Sequence, residues 1–184
     1  DVKKRYSGKD VAAPVFRAYV TVPSVLGSVS LSDKASIQEF SADAVSPSSV
    51  KFLFSDNTSA VIPAIKSDQV EISIDKKAHA EMNVTASKVA VYGSGSADLA
   101  LTQTVSLSEI NLSATCSLTT SGSASTMTVN AKGAGKAVMN GTATSVKFVQ
   151  SGTSNVNAIN LTCDDADVEL GGFCSLTEAA SKKL

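Results

Sequence analysis

Residues 93–118, GSGSADLALTQTVSLSEINLSATCSL, alternate apolar and polar side chains and then change phase part-way along. The apolar residues fall on odd positions at Leu99, Leu101, Val105 and Leu107, and on even positions at Ile110, Leu112, Ala114, Cys116 and Leu118. Alternation with a period of two is typical of a strand that buries one face. The phase change predicts a β-bulge around Ser108 to Ile110, which turns the buried face over and bends one long strand. The alternative is a tight turn near Ser108 and Glu109 that divides the stretch into two strands.

The same alternation recurs along most of the chain. It is clearest at Val70, Ile72 and Ile74, which are separated by polar residues. Counting each alternating stretch as one strand, we predict an all-β protein of about ten strands. A long bent strand lets a sheet pass from one face of a sandwich to the other, or curl around a cavity. We therefore expect an antiparallel sandwich or a curved sheet.

The domain organisation is simple. Residues 1–10 show no periodicity and are expected to form a flexible tail, and residues 11–184 are expected to form a single β domain. Glycine leads into a strand at Gly95, Gly122 and Gly141, but the unequal spacings favour recurrent turn chemistry over a solenoid repeat. Ser175 and Glu178 have the spacing of a capping box, which predicts a short C-terminal helix.

Composition and charge exclude several classes of partner. The net charge is −1, which leaves no electrostatic footprint for nucleic acid. No apolar stretch reaches the roughly 20 residues of a membrane-spanning helix. The sequence begins at Asp1 without a Met or a leader, as expected of a mature exported chain or a trimmed segment. Candidate glycosylation sequons occur at Asn57, Asn83, Asn111, Asn140 and Asn160. We therefore expect a secreted chain that is extracellular or lies at a cell surface.

Three cysteines permit one intramolecular disulfide. Cys163 and Cys174 bracket the last predicted strand and the start of the predicted helix, so a disulfide between them would join the two elements. Cys116 competes as a partner for Cys163. An exported chain is expected to oxidise at least two of these thiols.

The sequence offers little that resembles a catalytic or metal site. The one histidine, His79, is flanked by charged residues, and no nucleophile motif accompanies it. We therefore expect no catalytic residues, no enzymatic activity and no cofactor. Asp165, Asp167 and Glu169 would project from one face of a strand, where their carboxylates form a candidate calcium site. The alternative is a solvated, charged strand edge that prevents wrong pairing.

Two function classes remain. The first is a non-enzymatic structural, adhesive or surface-assembly subunit that acts through β-sheet contacts. The second is an extracellular carrier of an apolar ligand such as a lipid, held in a cavity between curved sheets. Over about residues 85 to 184, the long bent strand and the helix beside a cysteine resemble in outline the elongated lipid-binding folds of the BPI-like kind. That resemblance implies a lipid ligand.

Partners of the first class would be a second copy of the chain or another extracellular protein. The alternating side chains that define a candidate assembly strand are Phe16, Ala18, Val20 and Val22. This strand can complete its own sheet, or it can add to the open edge of a neighbouring molecule.

Overall fold

The strands belong to one wound sheet. The computed structural model describes residues 26–40 and 48–178. The elements are β1 (Ser28–Leu31), β2 (Ser36–Ile37), β3 (Ser49–Phe54), β4 (Ser59–Ile74), β5 (His79–Gly93), β6 (Asp98–Leu112), β7 (Ser117–Ala131), β8 (Lys136–Gly152), β9 (Asn155–Gly172) and β10 (Ser175–Glu178). They pair in the order β1-β3-β4-β5-β6-β7-β8-β9-β10, with β2 beside β4.

Every pairing between these strands is parallel. The chain is therefore a β-solenoid, in which each coil, here called a rung, stacks on the preceding one. The all-β prediction is confirmed, but the antiparallel sandwich or curved sheet is wrong. Alternation specifies which side chains are buried and does not specify which strand is the neighbour or in which direction it runs.

Turns with a left-handed residue close successive rungs. These residues recur at intervals of 19 or 20: Asp56, Lys76, Gly95, Ala114, Gly133, Gly152 and Gly172. Each turn also bonds to the turn of the next rung, as where the N–H of Ala134 donates to the carbonyl of Ala114 at 2.7 Å. The expectation of turn chemistry without a solenoid repeat is therefore wrong. Gly95 lies in a turn, whereas Gly122 and Gly141 lie within strands. The spacings from Gly95 to these two residues were unequal because they joined positions that are not equivalent in the coil.

The phase change in β6 marks a corner of the coil. Val105 and Ser108 are both buried, whereas Ser106 and Leu107 between them both face outward. β6 pairs with β7 before and after Ser106, and the strand runs unbroken from Asp98 to Leu112. Neither the predicted bulge nor the predicted turn is therefore present in β6. Small polar residues mark this corner on β6 and on the rungs around it: Ser87, Ser106, Ser125, Thr144 and Asp164.

The core is a set of inward-facing columns. In the central column, six side chains are each at most 1% exposed: Phe52, Ile72, Val91, Ile110, Val129 and Phe148. Burial of each such side chain contributes about 1.5–3 kcal/mol. Val168 continues the column but is 41% exposed, because no described rung covers it. The described C-terminal end of the coil therefore presents apolar side chains.

The C-terminal segment differs from the prediction. Ser175–Glu178 forms β10, which pairs in parallel with Asn155–Ala158, and residues 179–184 lie outside the described part. The predicted helix is wrong over these four residues, because backbone pairing with the preceding rung overrides a local capping pattern too short to hold a helix.

Other predictions fall on residues that the structure does not describe. The expected tail, residues 1–10, and the candidate assembly strand at Phe16, Ala18, Val20 and Val22 both precede residue 26. Within residues 26–40 and 48–178, no helix is long and apolar enough to cross a membrane.

Candidate functional site

A groove of about 390 Å³ runs along the coil axis, beside the turns. One wall is a column of outward side chains at the ends of successive strands: Leu53, Ser73, Tyr92, Asn111 and Asn130. The other wall comes from the turns: Ser55, Asp75, Ser94, Ser113 and Lys132. The residues between the walls point inward, so the backbone forms the floor. The groove therefore presents one group from each wall at every rung.

Tyr92 is the exposed aromatic residue of this groove, whose floor also includes the buried Phe54. It lies in register with Ser73 on one side and with Asn111 on the other, and it is 44% exposed. A half-exposed tyrosine offers an apolar ring face together with a polar hydroxyl. The side chain of Asn111, next to Tyr92 in the column, is held in place because the Asn130 Nδ2 donates to its Oδ1 at 2.9 Å. The ring thus stands beside two amides of fixed orientation.

The groove contains one acidic and one basic side chain. Asp75 lies in the second wall, and its Oδ1 atom is buried without a hydrogen-bond partner within the described part of the chain. A buried polar atom of this kind usually acquires a partner from water or a ligand. Lys132 lies three rungs further along the same column and is exposed. The two charges balance, so the groove as a whole is close to neutral.

Hydrogen-bonded ladders of polar side chains also order the outer surface away from the groove. The hydroxyls of Thr102 and Ser121 lie 3.0 Å apart, and the Asn160 Nδ2 donates to the Asn140 Oδ1 at 3.1 Å. Parallel stacking in register brings like positions together at each rung, at the usual strand spacing of about 4.8 Å. The outer faces are therefore regular arrays of small polar groups.

A lysine lies beside two of the three carboxylates that form the candidate calcium site. The Lys147 Nζ lies 3.1 Å from the Asp167 carboxylate and forms a second ion pair with Glu169. Both contacts raise the pKa of Lys147, and the contact with Glu169 has the larger effect. Asp165 lies on the same strand, opposite Ser145. Among the described residues, no group of three or more His, Cys, Asp or Glu side chains is placed to hold a metal.

Neither expected disulfide is present, since Cys116 and Cys174 are both free thiols. Cys163 lies at the corner of β9 and Cys174 in the turn after it, so the extended segment between them spans about 20 Å or more. A disulfide requires Cα atoms within about 7 Å. Cys116 follows β6, rungs away from β9. Burial, together with a smaller effect of the Asp98 charge, raises the pKa of the Cys116 thiol to about 11.

The candidate glycosylation sites do not share one environment. Asn57, Asn83 and Asn160 are exposed, whereas Asn111 and Asn140 are partly buried. Whether any of them carries a glycan stays a prediction. His79 lies outside the groove, with its Nδ1 3.1 Å from Asp98 and its Nε2 3.6 Å from Glu81.

The sequence reasoning did not find the groove. Asn111 was singled out only as a sequon, and Tyr92 was not singled out at all. The available signal was the spacing of 19 residues that separates Tyr92 from Asn111 and Asn111 from Asn130. In a coil with rungs of that length, such residues become neighbours.

The fold and the groove together define a class of protein: a parallel β-solenoid with ordered polar outer faces. Residues 95–184 match the DUF2807 family, described as "Putative auto-transporter adhesin, head GIN domain". The matched stretch begins in the turn before β6 and includes β6 to β10. No curated protein and no solved structure matches the chain.

Proposed function

We propose that this chain is a non-enzymatic adhesive module that works outside the cell or at its surface. The observation that carries the proposal is the ladder architecture of the outer faces, as in the pairs Thr102–Ser121 and Asn140–Asn160. Side chains already ordered by their neighbours lose less conformational entropy when a partner binds. The similarity of residues 95–184 to an adhesin head family supports the same role and the surface location.

The absence of enzymatic activity is part of this proposal. The environment of His79 supports it, because the ring contacts the carboxylates of Asp98 and Glu81 on an exposed edge. These are polar contacts with carboxylates at the surface, whereas a general base would lie beside a nucleophile.

The described residues do not form the internal cavity that the lipid-carrier alternative requires. That function needs a cavity between curved sheets, whereas the inward columns of this coil are filled by packed side chains such as Ile110 and Phe148. The cavity described above is an open groove on the outside of the coil and not an enclosed space between sheets.

The adhesive proposal is tested by attachment under flow. Beads coated with the purified chain are passed over films of matrix proteins, over polysaccharide films and over a layer of the chain itself, with albumin-coated beads as the control. We expect attachment that resists shear on at least one of these surfaces. Attachment no stronger than that of the control on all of them would refute the adhesive role.

A further inference from the structure

We propose that the groove beside the turns binds a linear oligosaccharide of neutral sugars. This inference rests on the adhesive role proposed above and names the chemical class of its ligand. It is drawn from the composition of the two walls around Tyr92, Asn111 and Asp75.

The first argument is the pairing of an aromatic face with hydrogen-bonding groups. A pyranose ring has an apolar face of C–H bonds and a rim of hydroxyl groups. Tyr92 supplies an exposed ring for the apolar face. The side chains of Asn111 and Asn130 share one hydrogen bond. Within the described part of the chain, this leaves the Asn111 Nδ2 group to donate to a sugar hydroxyl and the Asn130 Oδ1 atom to accept from one. Ligand sites typically combine such an apolar surface with a few placed polar groups.

The second argument is the unpartnered carboxylate oxygen in the second wall. The Asp75 Oδ1 is buried and accepts no hydrogen bond from a described residue. A sugar hydroxyl is a suitable donor for this oxygen, because it is neutral and needs little desolvation compared with a cation. Asp75 is one rung before Ser94 in the turn column, so the carboxylate and the Tyr92 ring face neighbouring parts of the groove.

The third argument is the length and regularity of the groove. The groove extends over six rungs, from Ser30 in β1 to Asn130 in β7, or five strand spacings, which is about 24 Å. Polar groups recur at each spacing, so a chain of similar sugar units meets similar contacts along it. This geometry favours a linear glycan over a single small molecule.

The other classes of linear ligand fit less well. The lining strands from β3 to β7 are each paired on both sides, so an added peptide strand finds a free backbone edge among the described residues only at β1, at one end of the groove. A nucleic acid requires a basic surface, whereas Lys132 is the one basic side chain among the described lining residues and Asp75 balances its charge.

The test is an NMR titration of the isotope-labelled chain with cellohexaose, maltohexaose, mannohexaose and chitohexaose. We expect at least one sugar to shift the backbone amide of Tyr92 and the side-chain amides of Asn111 and Asn130. A charged hexagalacturonate and a pool of acidic and basic peptides are titrated in parallel. Shifts at the groove caused only by these charged ligands or peptides would overturn the assignment, as would no shift with any of the four neutral sugars at millimolar concentration.

The sugar affinities of single-residue variants show which side chains of the groove contribute to binding. Tyr92→Ala is expected to weaken the affinity for the bound sugar about tenfold through loss of the ring face, whereas Tyr92→Phe keeps that face and most of the affinity. Asn83→Ala is the matched control for Asn111→Ala, because Asn83 is an exposed asparagine outside the groove. Circular dichroism checks that each variant is folded. Unchanged affinity in a folded Tyr92→Ala variant would overturn the assignment.

The bead assay separates this inference from the adhesive role on which it rests. If wild-type beads attach under flow but no neutral sugar binds, the groove assignment falls and the adhesive role stands. If a sugar binds in the groove and the beads do not attach to any film, the adhesive role falls and the glycan site stands.

Discussion

The left-handed turn position is the residue-level feature on which the coil depends. In the later rungs it is mostly glycine, but Asp33, Asp56 and Lys76 hold it in the first three turns. The Asp56 carboxylate accepts a hydrogen bond from the Lys76 Nζ at 2.6 Å and another from the backbone N–H of Asp33 at 3.3 Å. The bond from Lys76, the largest of several effects, lowers the pKa of Asp56. Polar contacts between rungs thus accompany a backbone conformation that these residues rarely adopt.

Ala114 has the same conformation without such a contact. Its φ is 55°, and its methyl side chain forms no polar bond to offset the strain. An L-residue in this region costs about 1–2 kcal/mol, and glycine avoids most of that cost. We therefore expect Ala114→Gly to raise the free energy of unfolding by about 1 kcal/mol, as measured by urea denaturation.

The matched control for Ala114→Gly is the reverse change on the next rung. Gly133 has a φ of 66°, and an added Cβ would lie 3.2 Å from the backbone nitrogen of Ala114. Gly133→Ala should therefore lower the free energy of unfolding by about 1 kcal/mol or more. Equal stability of wild type and both variants would show that the turn conformation carries no strain.

Single residues are also where sequence reasoning was least reliable. Cys163 and Cys174 are eleven positions apart, a separation that suits a disulfide only if the chain folds back between them. The extended course of β9 prevents this. Likewise, Asp167 and Glu169 were candidate calcium ligands, but Lys147 of the preceding rung neutralises them. In both cases the neighbours that matter are ones that only the stacking of rungs defines.

At the scale of elements, the burial of a strand depends on the rungs above and below it. Leu112 and Leu170 occupy one inward column of the coil. Leu112 is 2% exposed in the interior, whereas Leu170 is 54% exposed at the described C-terminal end. Leucine thus occurs twice in this column, once between two neighbouring rungs and once where no described rung covers it.

This pair gives a second prediction. Leu112→Ala should lower the free energy of unfolding by about 2–5 kcal/mol, because it opens a cavity in a packed column. Leu170→Ala, its matched control, should cost under about 1 kcal/mol, since much of that side chain already contacts solvent. Chemical denaturation of both variants measures the difference. Similar losses would mean that Leu170 is covered in solution.

The elements were predicted in part. The inward positions of β6 followed from alternation, except that Leu107 was grouped with the buried residues and faces outward. The phase change was placed after Leu107, whereas it lies between Val105 and Ser108. The corner at Ser106 was not identified, because two adjacent outward residues look the same in a bulge, a turn or a bend of a coil. Ser175 and Glu178 carried a helix pattern, but a strand of the next rung was available to pair with that segment.

At the scale of the whole molecule, the all-β class was predictable and the direction of pairing was not. Parallel strands usually need a long crossover connection, which the sequence lacks between its short turns. In a solenoid the coil itself is the connection. The residues that reveal this lie at rung intervals, such as Gly133 and Gly152, and they become informative only when like positions are compared.

Stacked rungs contact mainly their nearest neighbours, so stability should vary along the coil. Val91, Ile110 and Val129 are fully buried in the central rungs, with a covered rung on each side. Val168 is 41% exposed, and β1 pairs on one side only among the described residues. Because local opening requires less free energy where fewer contacts are lost, the described ends should open before the centre.

Native-state amide hydrogen exchange measures this gradient. We expect the slowest exchange in β5, β6 and β7, at the rate of global unfolding, and faster exchange in β1 and over residues 165–170. Leu112→Ala should accelerate exchange most in β6 and its neighbours, because cavity formation weakens the contacts between those rungs. Uniform protection from β1 to β9 would mean that the coil unfolds only as one cooperative unit, and the nearest-neighbour account would then be wrong.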